Sequence, residues 1–285
     1  MVNILISGYY GFDNIGDESI LRTLVSSLRE HIPDCSLTVL SHNPASTREK
    51  YGVEAVDRMS PMAILRAVKK CDMLISGGGS LLQDVTSSKS LHYYLSIIRC
   101  AEFFHKKVFI YSQGIGPIDR PGNRRAAAAA LKRADGIVVR DERSASLLEE
   151  IGIARDKVVI TADPVIRMKK PDGDVGAEIL RKAGVSLDGR LTVGWAIRER
   201  DTDSRFVKEL LRSIQMMKDK YNAQSVLIPF HYEEDGEVCR HIAAQLPDDT
   251  AVCLNEKYLS EDMLSIIGNM DLLVGVRLHS LIYAA

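Results

Sequence analysis

Short apolar runs that end in glycine or in a polar turn recur along the sequence, and each precedes a segment with helical periodicity. The last of them lies in the stretch 271–285, where an apolar strand pattern is followed by a tight turn carrying Arg277 and His279 and by the start of a helix. Such a short apolar run is typical of a parallel strand covered on both faces. Because α/β sheets bind ligands at the carboxyl ends of their strands, Arg277 and His279 are predicted to face a ligand crevice.

The same layout occurs twice more, each time with an acidic residue just before the strand. Residues 71–82 align with residues 270–281, and residues 134–144 repeat the acidic residue and the apolar run before a turn with Arg140 and Arg143. These repeats predict two related α/β halves. Chance similarity among the units of one doubly wound sheet is the alternative explanation.

Regular alternation of strand and helix patterns along the whole chain predicts an α/β protein with two Rossmann-like domains. The segment near residue 170 is rich in lysine, proline, glycine and aspartate, which is typical of a linker, and a short helix is predicted within it over 175–183. The predicted division is an N-terminal domain over 1–168, a linker over 169–190 and a C-terminal domain over 191–285.

The composition is that of an ordinary globular protein, with 46% hydrophobic and 26% charged residues among 285. A formal net charge of -1 gives no sign of the basic groove that nucleic-acid-binding proteins need, so nucleic acid is not an expected partner. Five scattered cysteines without metal-ligand spacing predict buried thiols and no metal site. No signal peptide or membrane-spanning segment is apparent, so we expect a cytoplasmic protein with room for peripheral contact with the inner membrane face.

Two glycine-rich segments follow predicted strands and are candidates for binding or positioning a substrate. The loop 8–18 opens a helix without matching the dinucleotide or P-loop fingerprints, and its candidate residues are Gly11, Asn14, Gly16 and Asp17. Helix capping is the alternative role for Asp17. Gly78 and Gly79 would let the backbone approach a ligand, with tight packing as the alternative, and a helix is predicted to start within 80–84.

Four arginines fall at or just past predicted strand ends: Arg140, Arg143, Arg198 and Arg277. Guanidinium groups bind carboxylate or phosphate through paired hydrogen bonds, so several of them in one crevice predict a small polyanionic ligand. For any single arginine, a surface ion pair is the alternative.

His279 beside such an anion could deliver a proton at neutral pH, although its apolar neighbours also fit a structural histidine. His231 is a second candidate with a weaker context. Asp13 and Asp163 could activate a hydroxyl group, but their spacing singles out neither. The serine-hydrolase elbow and the zinc-protease helix motif are both missing.

Six segments taken together resemble the polysaccharide pyruvyl transferase family, and most closely its CsaB-type branch of bacterial cell-wall polymer synthesis. They span most of the chain and are found at 7–18, 76–84, 113–117, 139–144, 162–164 and 276–279. The family's Arg-Leu-His motif falls on Arg277, Leu278 and His279. The arginine of its Arg-Asp-x-x-Ser turn falls on Arg140.

The resemblance implies a GT-B-like fold and a transferase that moves pyruvate from phosphoenolpyruvate onto two hydroxyls of a sugar, forming a ketal and releasing phosphate without a cofactor. In the CsaB-type branch the acceptor would be N-acetylmannosamine on a lipid-linked precursor of the secondary cell wall polymer that anchors S-layer proteins. Arg277, Arg140, Arg143, Arg198, Gly78 and Gly79 are the expected phosphoenolpyruvate-binding residues.

The predicted chemistry suits these residues, because the donor's carboxylate and phosphate call for arginines and its methylene carbon must gain a proton. His279 is the expected proton donor, and Arg277 is expected to stabilise the departing phosphate. Family members continue beyond the Arg-Leu-His motif, so the second domain is expected to be incomplete. A GT-B glycosyltransferase using a nucleotide sugar and a non-catalytic saccharide-binding protein are the competing functions.

Overall fold

The computed structural model describes residues 1–199, 202 and 204–285. The chain divides into two compact units. Unit 1 comprises Met1–Phe12 and Ile20–Pro164, and unit 2 comprises Asp13–Ser19 and Val165–Ala285. A short piece of the glycine-rich N-terminal loop therefore groups with the C-terminal half of the chain.

Unit 1 is built on a seven-stranded parallel sheet with the order β3-β2-β1-β4-β5-β6-β7. Its strands are β1 (Val2–Tyr10), β2 (Cys35–Ser41), β3 (Glu54–Asp57), β4 (Met73–Gly77), β5 (Lys107–Gln113), β6 (Gly136–Val139) and β7 (Val158–Ile160). Its helices are α1 (Ile15–His31), whose first turn groups with unit 2, α2 (Pro44–Tyr51), α3 (Pro61–Lys70), α4 (Ser88–Phe103), α5 (Pro121–Leu131) and α6 (Glu142–Glu150).

The central strand β1 shows why this sheet is parallel and covered on both faces. Ile4, Leu5 and Ile6 are consecutive and at most 1% exposed, so both faces of the strand are buried. Leu5 belongs to the apolar cluster that includes α4, and Ile4 and Ile6 belong to the cluster that includes α1. The continuous apolar run in the sequence is therefore a consequence of helices packing on both sides.

Unit 2 contains a four-stranded parallel sheet with the order β10-β9-β8-β11. Its strands are β8 (Thr192–Ala196), β9 (Gln224–Leu227), β10 (Ala251–Cys253) and β11 (Leu272–Gly275), and its further helices are α7 (Val175–Lys182), α8 (Arg205–Tyr221), α9 (Tyr232–Ala244), α10 (Ser260–Ile267) and α11 (Leu278–Ala284). Buried Val207, Leu210 and Ile214 form the apolar face of α8. The predicted α/β class with two Rossmann-like parallel sheets is confirmed.

The acidic residue before each repeated strand has a common structural role. The Asp72 carboxylate accepts the backbone N–H of Asn3 at 2.8 Å, and the backbone N–H of Asp72 donates to the Asn3 carbonyl at 2.8 Å. The same pair of bonds joins Asp135 to Val108 and Asp271 to Thr192. The repeat seen in the sequence thus marks three strands, β4, β6 and β11, that are fastened at their amino ends to a neighbouring strand.

Two parts of unit 1 differ from the sequence analysis. The segment between β2 and α3 contains α2 and β3, which the sequence analysis does not identify. The predicted helix start within 80–84 is wrong, because α4 begins at Ser88 with Ser87 as its cap. The preceding loop is held by the Asp84 carboxylate, which accepts the backbone N–H groups of Asp119 at 2.9 Å and Arg120 at 3.1 Å just before α5.

The segment 169–190, predicted as a linker, groups with unit 2. It contains α7, which packs against α10. The backbone N–H of Gly176 donates to Ser265 Oγ at 2.9 Å, and Leu180 is fully buried. The short helix predicted over 175–183 is confirmed as α7, but the segment is part of unit 2 and not a separate linker. Within the described ranges, no helix combines the length and the hydropathy needed to cross a bilayer.

The strand-fastening bonds predict a pH dependence of stability. The backbone N–H of Asn3, together with its side-chain amide, holds the pKa of Asp72 below the usual 3.8. A carboxylate with a lowered folded-state pKa stabilises the fold above the pKa it has when unfolded, and this stabilisation is lost as the pH falls through the folded-state pKa. We expect Asp72→Asn to lower the melting temperature at pH 7, and expect the difference from wild type to shrink below pH 3.8.

Thermal unfolding followed by circular dichroism between pH 2 and pH 7 tests this, with the exposed Asp188→Asn as the matched control. A melting-temperature difference that stays constant across this range would contradict the proposed role of the Asp72 charge.

Candidate functional site

The turn that follows β11 carries Arg277 and His279 in unit 2. Arg277 is the residue before α11, and its carbonyl accepts the backbone N–H of Ser280 at 3.0 Å and the Ser280 hydroxyl at 2.6 Å. The backbone N–H of Val276 donates to the Ala196 carbonyl of β8 at 3.0 Å. The two predicted catalytic residues are therefore presented by a short, internally bonded strand-to-helix turn.

A buried carboxylate holds the Arg277 side chain. Nε of Arg277 donates to Asp235 Oδ2 at 3.1 Å, and Nη2 donates to Asp235 Oδ1. The Asp235 side chain is 1% exposed, and its Oδ2 also accepts the backbone N–H of His231 at 2.9 Å. The Glu234 carboxylate lies 3.9 Å from Nη2 of Arg277. The bidentate pair fixes the guanidinium plane, and Nη1 takes no part in it.

The His279 ring lies directly against Gly16 in the first turn of α1. A Cβ atom added at Gly16 would overlap the imidazole, at 2.6 Å from Cγ and 2.8 Å from Cε1. The N–H of Gly16 donates to Asn14 Oδ1 at 3.1 Å, and that of Ile15 donates to the Phe230 carbonyl at 3.0 Å. Two motifs from opposite ends of the sequence thus form one cluster within unit 2, and it requires glycine at position 16.

Neighbouring polar groups support this cluster. The Ser19 hydroxyl donates to the Ile15 carbonyl and is hydrogen-bonded to the Tyr283 hydroxyl. His231, the weaker histidine candidate, is the cap of α9, and its Nδ1 accepts the N–H of Glu234 at 3.3 Å. The structure therefore gives His231 a helix-capping role. Asp13 pairs with Lys257 at 2.8 Å.

Arg140 is the centre of a second cluster, in unit 1. Its Nη1 donates to Asp163 Oδ2 and its Nη2 donates to Ser80 Oγ, at 2.8 and 2.9 Å. The guanidinium lies against Gly114, where an added Cβ would come within 2.7 Å of Nη2. The two side chains of this ion pair are only 11% and 7% exposed, so it is a largely buried pair instead of a surface one.

A cavity of about 330 Å³ adjoins Arg140 in unit 1. Its charged lining residues are Arg124, Arg140, Arg143, Asp141 and Glu150. Arg124 pairs with Glu150 at 3.2 Å, whereas exposed Arg143 takes part in none of the ion pairs between described residues. The cavity is large enough for a small anion, and Arg143 is the arginine in it with the least competition from carboxylates.

The glycine candidates of unit 1 lie in tight packing contacts. Gly78 and Gly79 are buried with φ of 102° and 52°, a left-handed conformation that favours glycine. A Cβ at Gly78 would meet the Tyr10 hydroxyl at 2.8 Å, and the Gly79 carbonyl accepts the Gly114 N–H at 3.1 Å. A Cβ at Gly11, whose φ is 80°, would lie 2.6 Å from the backbone nitrogen of Asn43. Packing therefore accounts for glycine at positions 11 and 78, and the left-handed backbone accounts for glycine at position 79.

The two remaining candidates lie at the ends of secondary-structure elements. Arg198 is exposed just past β8, and Asp17 lies in the first turn of α1.

Asp235 was missed by the sequence analysis, because it is the last residue of the acidic run 233–235, which looks like the solvated start of a helix. Nothing in that run distinguishes the one carboxylate that becomes buried.

The Gly16–His279 contact predicts a strong size limit at position 16. We expect Gly16→Ala to lower the free energy of unfolding by about 1–3 kcal/mol, the usual cost of overpacking, and to shift the imidazole resonances of His279. Gly122→Ala is the matched control, because nothing lies within 4 Å of a Cβ there, and it should change stability by less than about 1 kcal/mol. Urea unfolding and histidine NMR measure both effects. Equal stability and unmoved His279 signals in the two variants would contradict the contact.

The buried ion pair between Asp235 and Arg277 should contribute more to stability than an exposed ion pair does. Asp235→Ala should cost about 3–5 kcal/mol, because it leaves the largely buried Arg277 charge without its main partner. Glu209→Ala removes an exposed pair with Arg212 on α8 and should change stability by no more than about 1 kcal/mol. Urea unfolding of both variants checks the difference, and similar small losses would show that Asp235 does not anchor Arg277.

Solved structures with similar folds cover nearly the whole of this chain. The Anabaena HepE protein in complex with UDP-glucose has a TM-score of 0.61 at 11% identity, over 96% of this chain and 73% of that one. A UDP-GlcNAc 2-epimerase from Methanocaldococcus jannaschii has a TM-score of 0.63 at 12% identity, over 99% and 80%. These likenesses confirm the predicted GT-B-like fold class.

Sequence comparison identifies the family. AmsJ, an amylovoran biosynthesis protein of Erwinia amylovora, is 24% identical over 239 residues, which are 70% of this chain and 57% of that protein. The chain therefore spans somewhat more than half the length of this relative. The family profile described as polysaccharide pyruvyl transferase matches residues 14–285, which include Gly16, Arg140, Arg277 and His279. The resemblance seen in the sequence is confirmed, and the chain belongs to the polysaccharide pyruvyl transferase family.

Proposed function

We propose that this protein transfers pyruvate from phosphoenolpyruvate to two hydroxyls of a saccharide, forming a ketal and releasing phosphate. Family membership supports the reaction class. The observation that carries the proposal is the cluster in unit 2. There the His279 ring packs against Gly16, and buried Asp235 orients Arg277, which lies two residues before His279. This cluster offers a proton donor and a fixed cation on one short turn.

The donor's negative charge would be bound beside this turn. Nη1 of Arg277 lies outside the ion pair with Asp235 and can donate to a carboxylate or a phosphate oxygen. Because His279 contacts the first turn of α1, an anion beside the imidazole would also lie near the positive end of that helix dipole. Asp17 and Glu18 occupy the same turn and offset part of this potential.

The reaction would begin with proton transfer from His279 to the methylene carbon of phosphoenolpyruvate, which becomes a methyl group. The first acceptor hydroxyl attacks the neighbouring carbon and loses its proton, giving a tetrahedral centre that still carries the phosphate. The carbon–oxygen bond to phosphate then breaks, and the electron pair leaves with the phosphate. The second hydroxyl attacks the resulting cation, loses its proton and closes the ketal. Arg277 stabilises the phosphate as its charge increases.

Arg140 and Arg143 are proposed as donor-binding residues of unit 1. Their shared cavity of about 330 Å³ can accept a small anion, and the family motif falls on Arg140. Asp163 already neutralises much of the Arg140 charge, so of these two arginines Arg143 would supply more of the attraction. Arg198, Gly78 and Gly79 remain proposals from the family resemblance. Packing explains Gly78 equally well, and the left-handed backbone explains Gly79.

The acceptor is proposed to be N-acetylmannosamine on a lipid-linked precursor of the secondary cell wall polymer that anchors S-layer proteins. This proposal is supported by the CsaB-like motifs. Two of them, which end at Glu18 and His279, contain residues of the unit 2 cluster. A lipid-linked acceptor would bring a cytoplasmic enzyme to the inner membrane face.

Calorimetric titration with phosphoenolpyruvate tests the donor. Wild type should bind it, and Arg277→Ala should weaken binding about 10-fold or more through the loss of charge-assisted hydrogen bonds. Arg212→Ala, an exposed arginine on α8, is the matched control and should bind like wild type. UDP-glucose in a parallel titration tests the glycosyltransferase alternative. Binding of UDP-glucose without binding of phosphoenolpyruvate would overturn the proposal.

His279 should act in the chemical step more than in binding. We expect His279→Asn to keep phosphoenolpyruvate affinity within a few-fold and to lower turnover about 10²- to 10⁴-fold, the range attributed to general acid–base catalysis. Phosphate release with a lipid-linked disaccharide ending in N-acetylmannosamine measures turnover. Near wild-type turnover in this variant would remove His279 from the mechanism.

A further inference from the structure

Three flat rings at one edge of unit 1 are stacked in parallel and have no part in the function proposed above. The Tyr9 and Phe12 ring centroids are 4.1 Å apart with planes 6° apart, and the Phe12 and His42 centroids are 4.4 Å apart with planes 4° apart. Tyr9 is the penultimate residue of β1, Phe12 lies in the glycine-rich loop that follows β1, and His42 follows β2. The Phe12 ring is covered by a ring on each side, whereas His42 is exposed at the end of the stack.

A buried arginine supports the stack. Arg58 is 6% exposed, and its guanidinium carbon lies 5.7 Å from the Tyr9 ring centroid and 5.1 Å from that of Phe12. It is similarly close to the rings of Tyr93 and Tyr94. Its polar contacts are with oxygens, since Nη1 donates to the Gly8 carbonyl at 2.8 Å and Nη2 to the Tyr94 hydroxyl at 3.1 Å.

This arrangement is unusual for an interior charge. None of the ion pairs among the described residues involves Arg58, and its buried Nε has no hydrogen-bond partner there. Desolvating a guanidinium without a carboxylate is costly, and the surrounding aromatic rings and two oxygens offset part of the cost. A rigid aromatic cluster kept at such a cost indicates a role beyond filling the core.

The cluster also lies where α/β sheets bind ligands. The backbone N–H of Arg58 donates to the Ser41 carbonyl at the end of β2 at 3.0 Å, and Arg58 itself follows β3 directly. The rings are therefore at the carboxyl edge of β1, β2 and β3, the edge used for ligands in parallel sheets.

We propose that His42, supported by Phe12 and Tyr9, is a platform on which a pyranose ring of the saccharide acceptor stacks. An aromatic face carries partial negative charge and packs against the C–H groups on the flat side of a sugar ring. The platform is held rigid in advance by Arg58, which reduces the entropy lost on binding. The proposed ligand is a neutral sugar ring, because the Arg58 guanidinium is buried beside the rings and donates to the Gly8 carbonyl and the Tyr94 hydroxyl, so it offers no exposed cation to an anionic ligand. This inference rests on the proposed function, since it assigns the acceptor of that reaction.

Saturation-transfer NMR on the full chain tests the platform with the methyl glycosides of N-acetylmannosamine and glucose as probes. We expect transfer to the ring C–H protons of at least one glycoside. His42→Ala and Phe12→Leu should weaken that binding about 3- to 10-fold, the fold-change expected for losing one stacking contact. Exposed His31→Ala and Phe103→Leu are the matched controls and should bind like wild type.

Two results would overturn the platform. One is equal sugar affinity in His42→Ala, Phe12→Leu and their controls; the other is no transfer to either glycoside in folded wild type. Circular dichroism checks folding, and His42→Ala alone decides the question if Phe12→Leu unfolds, because His42 is at the exposed end of the stack.

Phosphoenolpyruvate titration of the same variants separates this inference from the proposed function. His42→Ala should leave phosphoenolpyruvate affinity unchanged. Sugar binding that depends on His42 in a protein that does not bind phosphoenolpyruvate would support the platform and reject the donor. Phosphoenolpyruvate binding, together with a sugar affinity that His42→Ala does not change, would support the donor and reject the platform.

Discussion

The ion pair between Asp235 and Arg277 is the interaction on which the unit 2 site depends. Asp235 accepts hydrogen bonds from the guanidinium of Arg277 and from the backbone of His231, so one buried carboxylate joins the start of α9 to the turn after β11. That turn carries His279, whose ring then has a fixed position against Gly16. Removing the carboxylate would leave the largely buried Arg277 charge without its main partner, although the turn keeps its own backbone hydrogen bonds.

The same principle changes how the arginines of this protein should be interpreted. The sequence analysis places Arg140 and Arg277 at strand ends as cations available for an anion, yet each is engaged by a buried carboxylate, Asp163 and Asp235 respectively. Such pairing orients a guanidinium and reduces its net attraction for a ligand. Affinity for a small polyanion would then depend on the donors left outside each pair, and on exposed Arg143.

Much of the fold was predictable because strand and helix periodicities are set by burial on both sheet faces, as the Ile4–Ile6 run shows. The short α2 and β3 were not, since neither has a long apolar pattern. The short α7 was predicted, but its polar surroundings concealed that it packs as part of unit 2. For the site, motif matching selected Gly16 and His279, whose contact the structure reveals. It could not find Asp235 or Arg58, because burial of a charged side chain depends on tertiary contacts that no local pattern encodes.

The aspartates that fasten β4, β6 and β11 also bear on how the sheets assemble. The bonded partners are separated by 27 residues for Asp135, 69 for Asp72 and 79 for Asp271. Loop-closure entropy grows only with the logarithm of this separation, so closing the longest of these loops costs about 1 kcal/mol more than closing the shortest. A pair of backbone-linked hydrogen bonds can offset a difference of that size. The same two-bond device can therefore join a strand to a near neighbour or to one far back in the chain, and parallel sheets of either connectivity can be built with it.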